Sequence, residues 1–477
     1  MEINNLFKKK INSCVVRIIA EDIDINWKLP YLIEEPSKGQ GSGFFIDNLG
    51  HILTCAHVVN YAKNVYIEIP ALGSEKYQCD IIGICPHFDI ALLKTKLYKP
   101  KKYLNLGDSE KIDVGKEVQV VGYPVSFSSS SSNVNNLKYT VGIISGQQKG
   151  LIQTDSAINP GNSGGPLFCN NKVIGINSMK LVGDSLENIG YAIPINNYKV
   201  IKDNFKEKIV YRPNLLFEYN NTDKNIIKVL TNGKIEKGII VSKILEGSIL
   251  EKTKLKVGSI ITEINNIKID NYGLTNNYKW LGTNVNIDIL LNNIKNNNYI
   301  TIKYYNNAKL EVSKYKLIPF IPPVRKIYNI FENVEYFIIG GIVLMNFSTN
   351  HLLNIDKQNI NLLYIMSKVE ELMKQRVIIT FIFPNGKVNI LNNIVQNTFL
   401  VKINDIDIKC ISEIKDALDK PILINNKEYI KLESDSGKFI ILSVDDIIKE
   451  DLLFSEIYKY PLNIFHTKYI KNTKIKG

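Results

Sequence analysis

From residue 13 to about residue 200 the chain is built of short apolar or alternating runs with breakers between them, and few folds accept that pattern. Val15-Val16-Arg17-Ile18-Ile19, Gly43-Phe44-Phe45-Ile46, Val65-Tyr66-Ile67-Glu68-Ile69, Ile90-Ala91-Leu92-Leu93 and Val118-Gln119-Val120-Val121 are the clearest of them. Asn, Gly, Pro and Asp separate the runs, as in an all-β barrel or sandwich. Ser126 to Ser132 is nearly all serine. Such a stretch has nothing to bury, so it is expected as a mobile loop.

At 477 residues the chain exceeds what one core serves, and three domains of ordinary size are expected. The character changes near residue 211. Gly238-Ile239-Ile240-Val241-Ser242-Lys243-Ile244 reads as a strand, Gly247-Ser248-Ile249-Leu250 as the start of a short helix, and Gly258 to Asn265 as a second strand ending in a turn. Glu263-Ile264-Asn265-Asn266-Ile267-Lys268-Ile269 is echoed 139 residues later by Lys402-Ile403-Asn404-Asp405-Ile406-Asp407-Ile408. An offset of about one small domain predicts two related modules after the barrel region. Pro319 to Pro323, rich in proline, reads as the joint between them. The divisions expected are an N-terminal segment 1–12, a barrel domain 13–205, and modules 211–318 and 319–477.

The net charge of +12 raises nucleic acid or an anionic membrane as partners. The dense basic runs are Lys8-Lys9-Lys10 and the tail from Lys468 to Lys476, and neither is interleaved with stacking aromatics. Nucleic acid is therefore not the partner expected, and a solvated lysine surface accounts for the charge. The longest apolar run, Tyr336 to Phe347, is too short to span a bilayer. Met1 to Ile11 is charged and the apolar stretch after it is broken by Arg17 and Glu21, so it does not read as a secretory leader. The cysteines are Cys14, Cys55, Cys79, Cys85, Cys169 and Cys410, without a CxxC pair. Reduced thiols in an intracellular compartment, cytoplasm or nucleus, are the expectation. Cys79, Cys85 and His87, with Cys55 nearby, match no ordinary zinc spacing; buried thiols and no metal or cofactor are expected.

The segment Asp155-Ser156-Ala157-Ile158-Asn159-Pro160-Gly161-Asn162-Ser163-Gly164-Gly165-Pro166-Leu167 carries the chemistry. A serine hydroxyl becomes a nucleophile only when a base takes its proton and donors await the oxyanion. Glycines around Ser163 permit backbone angles that aim successive amides at one point, and the amides of Gly161, Asn162 and Ser163 are the oxyanion-hole candidates. The same string satisfies the Gly-x-Ser-x-Gly elbow of α/β-hydrolases, but that fold needs an apolar strand into Gly161 and an acid and histidine afterwards. Asn159-Pro160 precedes the motif, and only His351 and His466 follow it. Upstream, His57 ends the run Leu53-Thr54-Cys55-Ala56, while His51 sits beside a turn glycine. Asp89 heads an apolar strand, where a carboxylate either faces water or pairs. Asp80 and Asp47 rival it on distance alone, and His87 reads as a bystander.

Gly41-Ser42-Gly43-Phe44-Phe45-Ile46, Leu53 to Val59 and Asp89 to Leu93 resemble the first barrel of HtrA/Deg-type serine proteases. Thr140 to Ser145, Gln153 to Leu167, Val173 to Asn177 and Gly190 to Pro194 resemble the second. All fall in the family's order over about residues 13 to 200, with His57 and Asp89 32 residues apart and Asp89 and Ser163 74 apart. The resemblance implies a mainly β, trypsin-like fold of two six-stranded β-barrels and the triad His57, Asp89 and Ser163. Gly238 to Ile269 is similar to the family's first PDZ module. Ile338 to Leu344, Leu400 to Ile406 and Asn26-Trp27-Lys28-Leu29-Pro30, the last placed in the first barrel, resemble the plant-type Deg branch with a second, atypical PDZ-like α+β module.

By the same resemblance Ala157 lies at the base of the S1 pocket, with Ile158, Asn177 and Met179 as further candidate lining. An S1 without an acid implies cleavage after Val, Ala or Leu rather than Lys or Arg. The loop that would take a peptide carboxylate is Arg212-Pro213-Asn214-Leu215-Leu216-Phe217, with Leu216 in the family's glycine place. Capture of free C-termini by this module is therefore not expected. The family also implies a homotrimer or a multiple of trimers, with Phe7 and Trp27 as candidate contact aromatics. The function implied is an ATP-independent serine endopeptidase acting on unfolded or damaged proteins. The alternative is a PDZ-bearing chaperone or scaffold with minor proteolysis.

Overall fold

Twelve strands between Val15 and Pro194 close into two barrels in this computed structural model, which describes residues 5–124, 136–178, 189–354, 364 and 368–475. The first barrel contains β1 (Val15–Asp22), β2 (Ser37–Phe45), β3 (His51–Cys55), β4 (Ala62–Glu68), β5 (Lys76–Cys85) and β6 (Ile90–Thr95), ordered β1-β2-β3-β6-β5-β4. The second contains β7 (Glu117–Gly122), β8 (Lys138–Gln148), β9 (Leu151–Thr154), β10 (Pro166–Cys169), β11 (Lys172–Ser178) and β12 (Gly190–Pro194), ordered β10-β11-β12-β9-β8-β7. The apolar runs form these strands because each can send alternate residues inward: Val16, Ile18 and Ala20 of β1 are all fully buried. The serine run Ser126–Ser132 lies outside the described residues. Three connections matter for chemistry: the turn after β3, the β5–β6 turn, and the loop from β9 to β10.

Two compact units result, Met1–Asp22 with Pro36–Phe320, and Ile23–Glu35 with Ile321–Gly477. Trp27 therefore does not belong to the first barrel, where the Asn26–Pro30 motif was expected. It is 5% exposed and packs with Val324, Met345, Phe347, Ile378 and Phe399 in the second unit. Thr380 Oγ1 donates to Lys28 O at 2.9 Å and seals the same excursion. Phe7 lies edge-on to Phe168, ring centroids 5.5 Å apart.

In the first unit, residues beyond the barrels form a sheet ordered Phe217–Asn220, Ile239–Ile244, Ile260–Ile264, Tyr299–Asn306 and Lys309–Lys316, with Ile267–Lys268 paired to the third strand. Between Gly247 and Leu250 the chain turns as anticipated: Ser248 caps the 3₁₀ turn Ile249–Lys252, its hydroxyl accepting from Leu250 N at 3.0 Å. The second unit's sheet runs Tyr336–Ile339, Ile342–Asn346, Val377–Ile382, Phe399–Ile403, Lys427–Ser434 and Ile422–Ile424. The sequence echo is a structural repeat. Ile264 pairs with Ile267 across Asn265-Asn266 (φ 49° and 64°), and Ile403 pairs with Ile406 across Asn404-Asp405 (φ 50° and 63°). Asn and Asp tolerate this left-handed backbone, which is why those letters recur there. His466 is fully buried, its Nε2 2.8 Å from Asp451 Oδ2, and Asp451 also accepts from the amides of Gly340 and Gly341 at 2.7 and 2.8 Å. His351 is 3% exposed. Both downstream histidines are thus core residues of the second unit. Among the described residues no helix is long and apolar enough to cross a membrane.

Candidate active site

β3 delivers His57 into a 3₁₀ turn, Ala56–Val58, at the mouth of the first barrel. Asp89 heads β6 and is 6% exposed. A carboxylate at that depth needs donors, and it has them. His57 Nδ1 lies 2.7 Å from Asp89 Oδ2, the backbone amide of His57 donates to Oδ1 at 2.9 Å, and Ser178 Oγ donates to Oδ2 at 3.3 Å. The backbone joins in, with Ala56 N donating to Asp89 O at 3.0 Å. This arrangement places the Nδ1 proton towards Asp89 and leaves Nε2 as an acceptor. Asp89 reaches it from a left-handed backbone, φ 57°. The rivals lie elsewhere. Asp80 is an exposed partner of Lys96 at 3.5 Å, and Asp47 holds His51 Nδ1 at 2.6 Å.

Ser163 is 6% exposed and sits in a loop fastened on all sides. Ser42 N donates to Ser163 O at 2.8 Å, Ser42 Oγ donates to Gly161 O at 2.7 Å, and Gly164 N donates to Asn177 O at 2.8 Å. Gly164 takes φ +87°, and a Cβ there would stand 2.1 Å from Ser42 O, so only glycine fits. Gly161 has φ 94°. Among the described residues the amides of Gly161 and Ser163 have no hydrogen-bond partner in the protein, which leaves them available to an incoming oxygen. The Asn162 amide departs from the expectation: it donates to Asn159 O at 3.0 Å, closing a turn, and so leaves the oxyanion set. Among the described residues no hydrogen bond joins Ser163 Oγ to His57, a contact that often tightens only with substrate present.

The S1 candidates separate. Ala157 is exposed. Ile158 is 8% exposed and sits among Ile144, Ile152 and Ala192 in the core of the second barrel. Asn177 is fully buried, and its Nδ2 donates to Val121 O and Pro166 O, both at 3.2 Å. It braces the nucleophile loop and does not line a pocket. Met179 lies outside the described residues. Cys55 Sγ, His57 and Asp89 bring three metal-ligand types within 4.8 Å. Each has a protein partner, Cys55 Sγ donating to Asn177 O at 3.2 Å and His57 Nδ1 lying 2.7 Å from Asp89 Oδ2. Burial pushes the thiols of Cys79 and Cys85 up to about 12 and about 11, as for inert core residues.

A model of the trypsin-like peptidase domain matches residues 41–176, and one of the PDZ domain matches residues 325–454. The serine protease Do-like HtrA of Bacillus subtilis is 30% identical over 287 residues, 54% of this chain and 62% of the relative. The chain is a relative of the HtrA/Deg-type serine proteases. A Do-like protease of Arabidopsis thaliana is 30% identical over 257 residues, 50% of this chain and 59% of its own. The periplasmic pH-dependent serine endoprotease DegQ of Escherichia coli is 30% identical over 249 residues, 51% of this chain and 54% of its own. The chain thus spans between about half and three fifths of these curated HtrA/Deg relatives. Among solved structures, the HtrA-type protease AlgW with a tripeptide shares the fold, with a TM-score of 0.50 at 23% identity over 66% of this chain and 97% of its own.

Two residues near the site escaped the sequence reading. Ser178, third donor to Asp89, follows Asn177 at the end of β11, and its only signal was that adjacency. Ser42 was legible only as part of a Gly-Ser-Gly string, although its hydroxyl and amide pin the loop from Gly161 to Ser163. In the Arg212–Phe217 loop, Leu216 takes φ 51°, and its amide donates to Asn214 Oδ1 at 2.8 Å.

Proposed function

We propose that the chain is an ATP-independent serine endopeptidase that cuts exposed or unfolded segments of proteins. The observation that carries this reading is the seat of His57: both oxygens of the buried Asp89 receive it, one at Nδ1 and one at the backbone amide. His57 Nε2 takes the proton of Ser163 Oγ as the oxygen attacks a peptide carbonyl, and the amides of Gly161 and Ser163 meet the developing oxyanion. The imidazolium, steadied by Asp89, then protonates the leaving amine. Water attacks the acyl-enzyme by the same route, with His57 again as base.

Specificity follows from the exposed Ala157, which offers no anion to a basic P1 side chain, so cleavage falls after Val, Ala or Leu. The 211–318 module acts as a PDZ-like module that does not take free C-termini, because the amide of Leu216 is spent on Asn214. Relatives named as serine proteases and endoproteases support the protein-substrate class. We assign the chain to a homotrimer or a multiple of trimers. Its six free cysteines favour an intracellular compartment, although the named DegQ relative is periplasmic. Peptides differing only at P1, turned over without nucleotide, test the assignment. Val-P1 is expected to exceed Arg-P1 by about tenfold or more in kcat/KM. Equal rates would discard the pocket, and no turnover of any peptide or unfolded protein would discard the enzyme.

A further inference from the structure

The turn His87-Phe88-Asp89 is held from outside the barrels. Phe88, 6% exposed, lies under the Arg212 guanidinium, whose carbon is 5.1 Å from the ring centroid. His87 Nε2 meets Asn292 Oδ1 at 2.9 Å. Arg212 is itself 5% exposed. Its N–H groups go to Asn296 Oδ1, to Asn292 O at 3.1 Å and to Ile294 O at 2.6 Å, all neutral acceptors at the end of helix Ile287–Asn292. Among the described residues it has no carboxylate partner, and its Nε is buried without a hydrogen bond. A buried cation without an anion is a costly way to pack two modules together. What it grips on the barrel side is the turn that ends in Asp89.

That turn needs gripping. Asp89 takes a left-handed backbone, φ 57°, which an aspartate tolerates, so its carboxylate keeps its aim on His57 only as far as the rest of the turn is fixed. The module in turn is seated by the hairpin of Leu274–Trp280 and Thr283–Asn286. Trp280, Leu281 and Val285 enter the core of the second barrel beside Ile112, Val118 and Ile158, and Trp280 Nε1 donates to Ser109 O at 2.8 Å. Between these two anchor points runs a cleft of about 290 Å³, bounded by Phe88, Asp89 and Ser178 on one side and Trp280, Ile289 and Asn292 on the other. Before Arg212 the chain pairs with β5, Ile84 N donating to Lys208 O at 2.9 Å and Val210 N to Ile84 O at 2.7 Å, so the contacts on Phe88 and His87 act on the tip of the turn.

We propose that Arg212 is a positioning residue for the reaction: held by the end of helix Ile287–Asn292, it clamps Phe88 and so keeps the Asp89 carboxylate on His57. The proposal rests on the protease reading above, and its test separates the two. In Arg212→Met the side chain keeps an unbranched apolar stem but loses the guanidinium, and with it both the contact over the Phe88 ring and the ties to the helix. Its kcat and its rate of labelling by a fluorophosphonate are expected to fall about tenfold, with KM held within about twofold. Asn296→Ala, which removes the one side-chain acceptor of Arg212 and leaves its backbone acceptors in place, is expected to lose about threefold in the same pattern. The downfield proton resonance of His57 Nδ1–H, identified by its absence in His57→Ala, should exchange faster with water in Arg212→Met. Variants that melt lower yet keep kcat and the resonance would overturn the proposal and leave Arg212 as packing. Should Arg212→Met fail to fold, an Asn296→Ala enzyme with unchanged kcat overturns it alone. A wild type that takes no probe sinks the protease reading, and the response of the resonance to Arg212→Met then decides this proposal.

Discussion

At the scale of residues, the account depends on which atom of His57 carries its proton. Asp89, with both oxygens receiving His57, holds the hydrogen at Nδ1 and frees Nε2 for Ser163. Asp89→Asn preserves the shape but presents an amide that can donate to Nδ1, which forces the proton onto Nε2. The expected loss in kcat is on the order of ten-thousandfold with the fold intact, read by steady-state kinetics beside circular dichroism. A loss below about tenfold would mean that Asp89 does not orient the base. The pairing of His57 with Asp89 was legible because residue type, order and spacing, with the family resemblance they carry, act together, whereas each alone reads as core or turn. Asn162 and Asn177 were misread because the direction of an amide depends on which turn closes around it. Asn162 N is spent on Asn159 O, and the Asn177 side chain on Val121 O and Pro166 O. Composition carries neither fact.

At the scale of elements, alternating apolar runs predicted strands well, since a barrel strand buries every second residue and the pattern is local. The Asn-Asn and Asn-Asp turns were legible for the same reason. What local pattern could not reveal was where segments distant in sequence dock. Residues 23–35 join a core supplied by Val324, Met345 and Phe399. The hairpin bearing Trp280 supplies three residues to a core otherwise made by strands and loops of the second barrel. Trp280, 5% exposed, is part of that core. Trp280→Ala should therefore cost about 3–5 kcal/mol, seen by calorimetry as a melting transition of the first unit lowered by several degrees. An unshifted transition would show that the hairpin is peripheral to barrel stability.

At the scale of the whole molecule, the five histidines serve different ends. Burial drives His351 down to about 4, so it stays neutral in the folded second unit, stacked on Phe347 at 5.9 Å. The unfolded chain binds that proton from about pH 6.5, so this residue's contribution is lost as pH falls from 6.5 towards 4. Urea unfolding, followed through the fluorescence of Trp27, should lose stability over that window in wild type and lose less of it in His351→Phe. Identical pH profiles would assign the acid sensitivity to other groups. His57 stands apart, on the partly exposed face of a buried acid. The central claim is that this one histidine activates one serine. Fluorophosphonate labelling with the modified peptide mapped by mass spectrometry tests it most directly. The account predicts a single adduct on Ser163, absent from Ser163→Ala and from His57→Ala. Labelling that survives His57→Ala, maps to another residue, or is missing from the folded wild type would contradict it.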